Sequence, residues 1–251
     1  MVRKRIIPCL DVYQGKTVKG VNFVNFKEIG NPVELGRAYA LQGADELVFL
    51  DINATNEKRS TFVELVEKVA KGVDIPFIVG GGISTIDDVS RVFDAGAGKV
   101  SINSAAVKTP GLINEVAGRY GPQRIIVAID AKRDGDIWRV VINGGKSDSA
   151  RELFEWAVEV QDRGAGEILF TSIDHDGTRK GFACKAIKEL KTRVKIPVIA
   201  SGGAGSMQHF ADLFETTNAE AALAASLFHS GEVEIAKLKL FLKGKGVSIG
   251  L

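Results

Sequence analysis

The chain repeats itself at about half its length, and that feature restricts its fold more than any other. KRIIPCLD (4–11) is matched by QRIIVAID (123–130), which sets Asp11 against Asp130 at an offset of 119 residues. ADELVFLDI (44–52) is matched by AGEILFTSI (165–173), setting Glu46 against Glu167 at an offset of 121. VDIPFIVGGGIS (73–84) is matched by VKIPVIASGGAG (194–205), so that Gly81-Gly82 meets Gly202-Gly203 at the same offset, and Asn103-Ser104 meets Ala225-Ser226 at 122. Four segments in one order at nearly constant spacing point to a duplicated half, about 1–120 and 121–245.

Each half carries four short apolar runs: 5–11, 46–52, 76–81 and 99–103, then 124–130, 167–173, 197–202 and 221–226. Amphipathic segments separate them, the pattern of parallel strands joined by crossover helices. Helix starts are signalled by Asn31-Pro32, by Thr85 with Asp88, by Thr109-Pro110 and by a Ser149/Glu152 capping box. Eight strand–helix units predict an α/β fold, a single (β/α)8 barrel over residues 1–251 with two-fold pseudo-symmetry. At 251 residues, 25% charged and with a net charge of +2, the chain has no basic excess for nucleic acid or a membrane surface. Cys9 and Cys184 are too few for a disulfide framework, and the apolar start is broken by Pro8 and Asp11, so a cytoplasmic chain without a targeting segment is expected.

In a closed barrel the first and fifth strands stand opposite each other, so each feature of one half recurs across the mouth. Glycines after strands 3 and 7, with Ser104 and Ser226 after strands 4 and 8, suit two facing anion sites and a ligand with two phosphates. The plainer reading is tight turns and helix caps. Asp11 and Asp130 end strands 1 and 5, where residues serve chemistry, and two facing carboxyls can divide acid and base roles; loop capping or pairing with lysine is the alternative. Long loops follow the same strands, at 12–30 and 131–147. The first holds Gly15, Lys16, Lys19 and Gly20 and could bring an ammonium to a phosphate, a solvated lysine being the plain reading. The second, DIWRVVINGG, alternates as a hairpin does, with Trp138 as its packing residue. At the other end Arg5, Glu46, Lys99 and Glu167 converge on the barrel floor, where an ordinary salt-bridge network is the simplest account.

RIIPCLDV, G-x-TVKGVNF, ADELVFLDI, VGGGI, KVSINSAA, VAIDAK, RGAGEIL, DGT, IASGGAG and ALAAS, in that order over nearly the whole chain, resemble the cyclase subunit of imidazole glycerol phosphate synthase. The resemblance implies an enzyme of histidine biosynthesis that works without metal or redox cofactor. It would add ammonia to the ribulosyl ketone of a formimino-carboxamide ribonucleotide bisphosphate. Cyclisation and cleavage would then give imidazole glycerol phosphate and aminoimidazole carboxamide ribonucleotide. The ammonia would come from a glutaminase subunit docked at the N-terminal face of the barrel, as a heterodimer. On this resemblance Asp11 and Asp130 are the acid/base pair and Lys19 helps order the first loop over substrate. Gly81, Gly82, Asn103, Ser104, Asp176, Gly177, Gly202, Gly203, Ala225 and Ser226 serve the phosphate and substrate sites. Arg5, Glu46, Lys99 and Glu167 form a charged gate through which ammonia enters.

Four positions depart from the family pattern. Asn53 and Ile78 stand in place of threonine, Gly98 in place of aspartate and Phe182 in place of tyrosine; Gly98 bears on the subunit interface and Ile78 on the barrel interior. His175, in the loop after strand 6, could reach substrate, a solvent-facing loop residue being the plainer reading, and His209 and His229 lack the company of other metal ligands. Three rival readings remain: a glycoside hydrolase with two facing carboxylates, the sister sugar-phosphate isomerase, and a barrel that only binds and activates a glutaminase.

Overall fold

The computed structural model of the chain describes residues 2–21, 24–52 and 59–251. Its first half runs β1 (Arg5–Tyr13), β2 (Lys16–Val21), β3 (Val24–Gly30), α1 (Pro32–Leu41), β4 (Leu47–Asp51), α2 (Arg59–Gly72), β5 (Phe77–Gly80), α3 (Ile86–Asp94), β6 (Lys99–Ile102), α4 (Ser104–Lys108) and α5 (Gly111–Tyr120). The second runs β7 (Ile125–Asp134), β8 (Ile137–Ile142), β9 (Ser147–Glu152), α6 (Leu153–Asp162), β10 (Glu167–Ser172), α7 (Cys184–Arg193), β11 (Val198–Ser201), α8 (Met207–Thr216), β12 (Ala221–Ala224), α9 (Ser226–His229) and α10 (Ile235–Gly244). Strands β1, β4, β5, β6, β7, β10, β11 and β12 pair in that order, all parallel, and β12 returns to β1. The sheet is therefore a closed (β/α)8 barrel.

Alternation along these strands sorts side chains into two apolar layers. One set, Ile7, Cys9, Val48, Ile78, Ile126, Leu169, Ile199, Ala221 and Leu223, fills the barrel interior. The intervening residues, such as Ile6, Leu10, Phe49 and Phe170, join the larger cluster beneath the helices. A strand shifted by one residue would exchange the two sets, so the register is fixed by burial on both faces.

The segment after the first strand is more ordered than a loop: β2 folds back antiparallel on the extended end of β1 and pairs with β3. After the fifth barrel strand, β8 and β9 form the hairpin that the alternation of DIWRVVINGG indicates. Trp138 packs edge-on against Phe170, with ring centroids 5.9 Å apart.

Helix starts recur at the spacing of the sequence repeat. Asn31 accepts from the N–H groups of Val33 and Glu34, and Glu152, 121 residues later, accepts from those of Phe154 and Glu155. The Ser149/Glu152 box is therefore corrected: Glu152 is itself the N-cap, because β9 runs on to this residue. The Ser149 hydroxyl donates instead to the Val140 carbonyl at 2.7 Å. Thr85 and Asp88 form the expected reciprocal box at the start of α3. Thr109-Pro110 acts as a break, Thr109 closing α4 and Pro110 preceding α5 without a side-chain cap.

Candidate active site

Barrel closure places β1 and β7 diametrically apart, with three strands between them on either side. Asp11 and Asp130 lie near the C-terminal ends of these two strands, on the interior-facing register of Arg5, Ile7 and Cys9 or of Ile126 and Ala128. The Asp11 carboxyl is pushed up from 3.8 to about 6 by burial, then by the charge of Asp176, against a small lowering by the Cys9 thiol 3.9 Å from Oδ1. Asp130 is likewise pushed up to about 6, chiefly by burial. Hydrogen bonds from Asn103 Nδ2, at 2.8 Å, and from Thr171 oppose that rise, and the Asp176 charge adds to it. Asp176 keeps one side open to solvent, yet burial by the surrounding loops raises its carboxyl too, offset in part by the Gly177 N–H. One aspartate whose charge acts on both of the others sets three carboxyls around the same mouth. Groups that gain or lose a proton near neutrality can move protons during a reaction.

Raised carboxyl values make this arrangement unfavourable for folding above pH 6. As pH rises from about 4 to about 6, the unfolded chain sheds these protons before the folded one does, so stability falls through that window and stays reduced above it. Asp11→Asn and Asp130→Asn should therefore each stabilise the fold at pH 8 by about 1–2 kcal/mol after discounting for partial exposure, or roughly 3–6 °C in Tm. Thermal melts at pH 8 and pH 4.5 check this; a gain of equal size at both would show that charge is not its cause.

The glycine turns occupy matched positions behind the two acids. A Cβ on Gly81 (φ +88°) would overlap the Asp51 carbonyl, and one on Gly202 (φ +89°) would stand 2.7 Å from the Ser172 carbonyl. Asp51 and Ser172 are themselves 121 residues apart. Gly203 (φ +100°) is pressed equally close to Gly181. Backbone packing thus demands glycine here, whatever else the turns do. Asn103 and Ala225 precede the short helices α4 and α9 with similar backbones, φ −122° and −116°. Ser226 is exposed, whereas the Ser104 hydroxyl accepts from the Asn143 N–H of the β8–β9 turn at 3.0 Å. Lys19 is exposed on β2, and its charge is felt by His229, at the end of α9, and by Glu232 just beyond.

At the opposite end of the barrel the four charged residues meet in a ring. Arg5 bridges Glu46 and Glu167, and Lys99 Nζ lies 2.9 Å from Glu46 and 3.4 Å from Glu167. Burial alone would lower the Arg5 value, but Glu167 and then Glu46 hold the guanidinium charged well above its ordinary range.

The departures have plain structural settings. Ile78 is fully inside the barrel cluster, Phe182 packs edge-on against Phe210 at 5.4 Å, and the Gly98 carbonyl takes Arg124 Nε at 3.1 Å; Asn53 lies outside the described residues. His209 Nδ1 accepts from the Gly205 N–H at 3.1 Å, and His229 Nδ1 lies 2.6 Å from the Tyr39 hydroxyl. Among the described residues, no three His, Cys, Asp or Glu side chains group as metal ligands, and no helix is long and apolar enough to cross a membrane.

Sequence reasoning passed over two members of this region, Thr171 and Cys9, and named Asp176 only as a substrate and phosphate residue. Thr171, which bonds Asp130, shares the alternation of Glu167 and Leu169 and was discoverable by counting in twos from Glu167. Cys9 lay in the same way between Arg5 and Asp11. The reach of Asp176 to both acids depends on the loop after β10, for which no periodicity exists. His175 also differs from its expectation: it is half-buried, with Nδ1 2.8 Å from the Ser172 hydroxyl.

A family model described as "Histidine biosynthesis protein" matches residues 5–234. Among curated relatives, a protein of Flavobacterium psychrophilum is 58% identical over 251 residues, covering the whole of both chains. One of Flavobacterium johnsoniae is 57% identical over the same span, and one of Bacteroides fragilis 54% identical over 249 residues, 99% of this chain and all of the relative. Each bears the name "Imidazole glycerol phosphate synthase subunit HisF".

Proposed function

The chain belongs to the histidine biosynthesis protein family, within it to the cyclase subunits of imidazole glycerol phosphate synthase, and from that premise we propose that Asp11 and Asp130 are its acid and base. It is an enzyme subunit, so its working form includes a partner subunit. The observation that carries the acid/base assignment is the pair of opposed, interior carboxyls, each raised to about 6 at one barrel mouth.

The substrate under this reading is a ribulosyl formimino-carboxamide ribonucleotide with a phosphate at each end. One phosphate lies at Gly81, Gly82, Asn103 and Ser104, the other at Gly177, Gly202, Gly203, Ala225 and Ser226, while Asp176 faces the substrate between them. The matched glycine turns and the 121-residue spacing of their packing partners support two sites built from one duplicated half. Held at both ends, the ligand is stretched across the mouth with its reacting centre between the two aspartates. Ammonia adds to the ketone, one carboxyl supplying the proton that the oxygen needs and the other accepting one from nitrogen. That oxygen leaves as water to give an imine, whose nitrogen closes the ring on the formimino carbon as aminoimidazole carboxamide ribonucleotide departs. Lys19, on the hairpin beside α9, supplies a cation at the phosphate end.

The partner in this proposal is a glutaminase on the N-terminal face, where the ring of Arg5, Glu46, Lys99 and Glu167 closes the floor. Above the ring the interior is lined by Ile7, Val48, Ile78, Ile126, Leu169 and Ile199, a path suited to neutral ammonia and not to ammonium. A reducing compartment such as the cytoplasm suits the free Cys9 and Cys184 thiols.

Two experiments bear on the proposal. Ammonium salt should support turnover of the bisphosphate without the partner; stimulation of a glutaminase with no turnover would instead make the chain a binding module. In a crystal soaked with sulfate, anions are expected at both glycine turns. Density at neither turn would contradict the two-phosphate reading.

A further inference from the structure

We propose that His175 is a positioning residue for the anion turn of the second half, acting through Ser172 and Gly203; the inference rests on the phosphate reading above. Ser172 ends β10, is 0% exposed, and has its hydroxyl oxygen 2.8 Å from His175 Nδ1. Its carbonyl accepts the N–H groups of both His175, at 3.2 Å, and Asp176, at 2.9 Å. The His175 carbonyl in turn accepts from the Thr178 N–H at 3.1 Å and the Thr178 hydroxyl at 2.7 Å. His175 therefore bonds through its ring, its N–H and its carbonyl within one turn, the turn that carries Asp176 and Gly177.

The same residue adjoins the glycine pair. A Cβ on Gly203 would lie 3.1 Å from the His175 Cβ, and one on Gly202 would lie 2.7 Å from the Ser172 carbonyl. The loops after β10 and β11 are thus packed through Ser172 and His175. An alanine at 175 keeps the Cβ beside Gly203 but removes the ring's hydrogen bond to a fully buried hydroxyl, freeing the turn that packs on Gly203 from the end of β10. An asparagine sets a polar atom close to the former Nδ1 and keeps the bond. The matching turn of the first half packs through Gly81 on Asp51 and serves, at Gly82, as an internal reference.

The test is a titration of the full chain with inorganic phosphate, followed by the amide resonances of Gly203 and Gly82. Both should respond in the wild type. In His175→Ala, phosphate affinity at Gly203 should fall about tenfold, as expected for an unpaired buried hydroxyl, with that at Gly82 unchanged. KM for the bisphosphate should rise more than kcat falls, and His175→Asn should recover most of the loss. Unchanged affinity at Gly203 in the alanine variant overturns the inference alone, as does equal weakening at both turns or an asparagine no better than alanine. A wild type silent at Gly203 would refute the anion site itself and the inference with it.

Discussion

Asp11→Asn and Asp130→Asn are each expected to lower kcat by about a hundredfold to ten-thousandfold, the range for loss of a general acid or base, while the bisphosphate still binds. Asparagine matches the shape of aspartate and can still accept the 2.8 Å hydrogen bond from Asn103, so the change removes proton transfer and little else. Both carboxyls sit at about 6, and Asp176 acts on each. At constant free ammonia, kcat/KM for the wild type should therefore trace a narrow bell whose apparent values belong to the coupled group. Either asparagine variant should lose one limb of that bell along with its rate. Full activity in either variant, with folding intact, would remove that residue from the mechanism.

Breaking the ring at the barrel floor should have the largest effect on stability. Glu46 and Glu167 are only 6% and 5% exposed, and Arg5 bridges them. Arg5→Ala leaves two buried carboxylates sharing one lysine, an uncompensated charge that costs about 3–5 kcal/mol, or roughly 6–15 °C in Tm. Adding Glu167→Gln leaves Lys99 and Glu46 as a neutral pair at 2.9 Å, so the double variant should regain a large part of the loss. A double variant no more stable than Arg5→Ala would show that packing of the arginine, not charge balance, holds this end. Under the proposed ammonia route the single variant should also lose glutamine-dependent turnover more than ammonium-dependent turnover.

Local sequence rules fixed much of what the structure displays. Apolar runs placed seven of the eight barrel strands within two residues of their observed bounds, because a strand buried on both faces leaves a continuous apolar run, whereas β7 continues four residues further to Asp134 by pairing with β8. The spacing of 119–122 residues put Asp11 opposite Asp130 and Gly81-Gly82 opposite Gly202-Gly203 before any contact was known. The inward direction of Arg5 followed from its even separation from Asp11.

What escaped sequence reasoning lies where neither period nor repeat operates. The distance of Ser149 from Glu152 fits a helix start, whereas pairing of Glu152 with Arg139 extends β9 past Ser149, whose hydroxyl bonds the Val140 carbonyl. The Ser104 hydroxyl is taken up by Asn143, 39 residues away, and Lys19 stands near His229, 210 residues away. Residues 1–251 by themselves determined the barrel and its two-fold placement of acids and glycines, since each follows from short-range periodicity read twice, and alternation along the first strand turned Arg5 toward the floor. Only the closed barrel decided that Asp11 and Asp130 hold their protons to about 6, that Asp176 bears on both, and that His175 grips Ser172. Desolvation and hydrogen bonding of this kind depend on which loops meet across the mouth, and that is set by packing distant segments together.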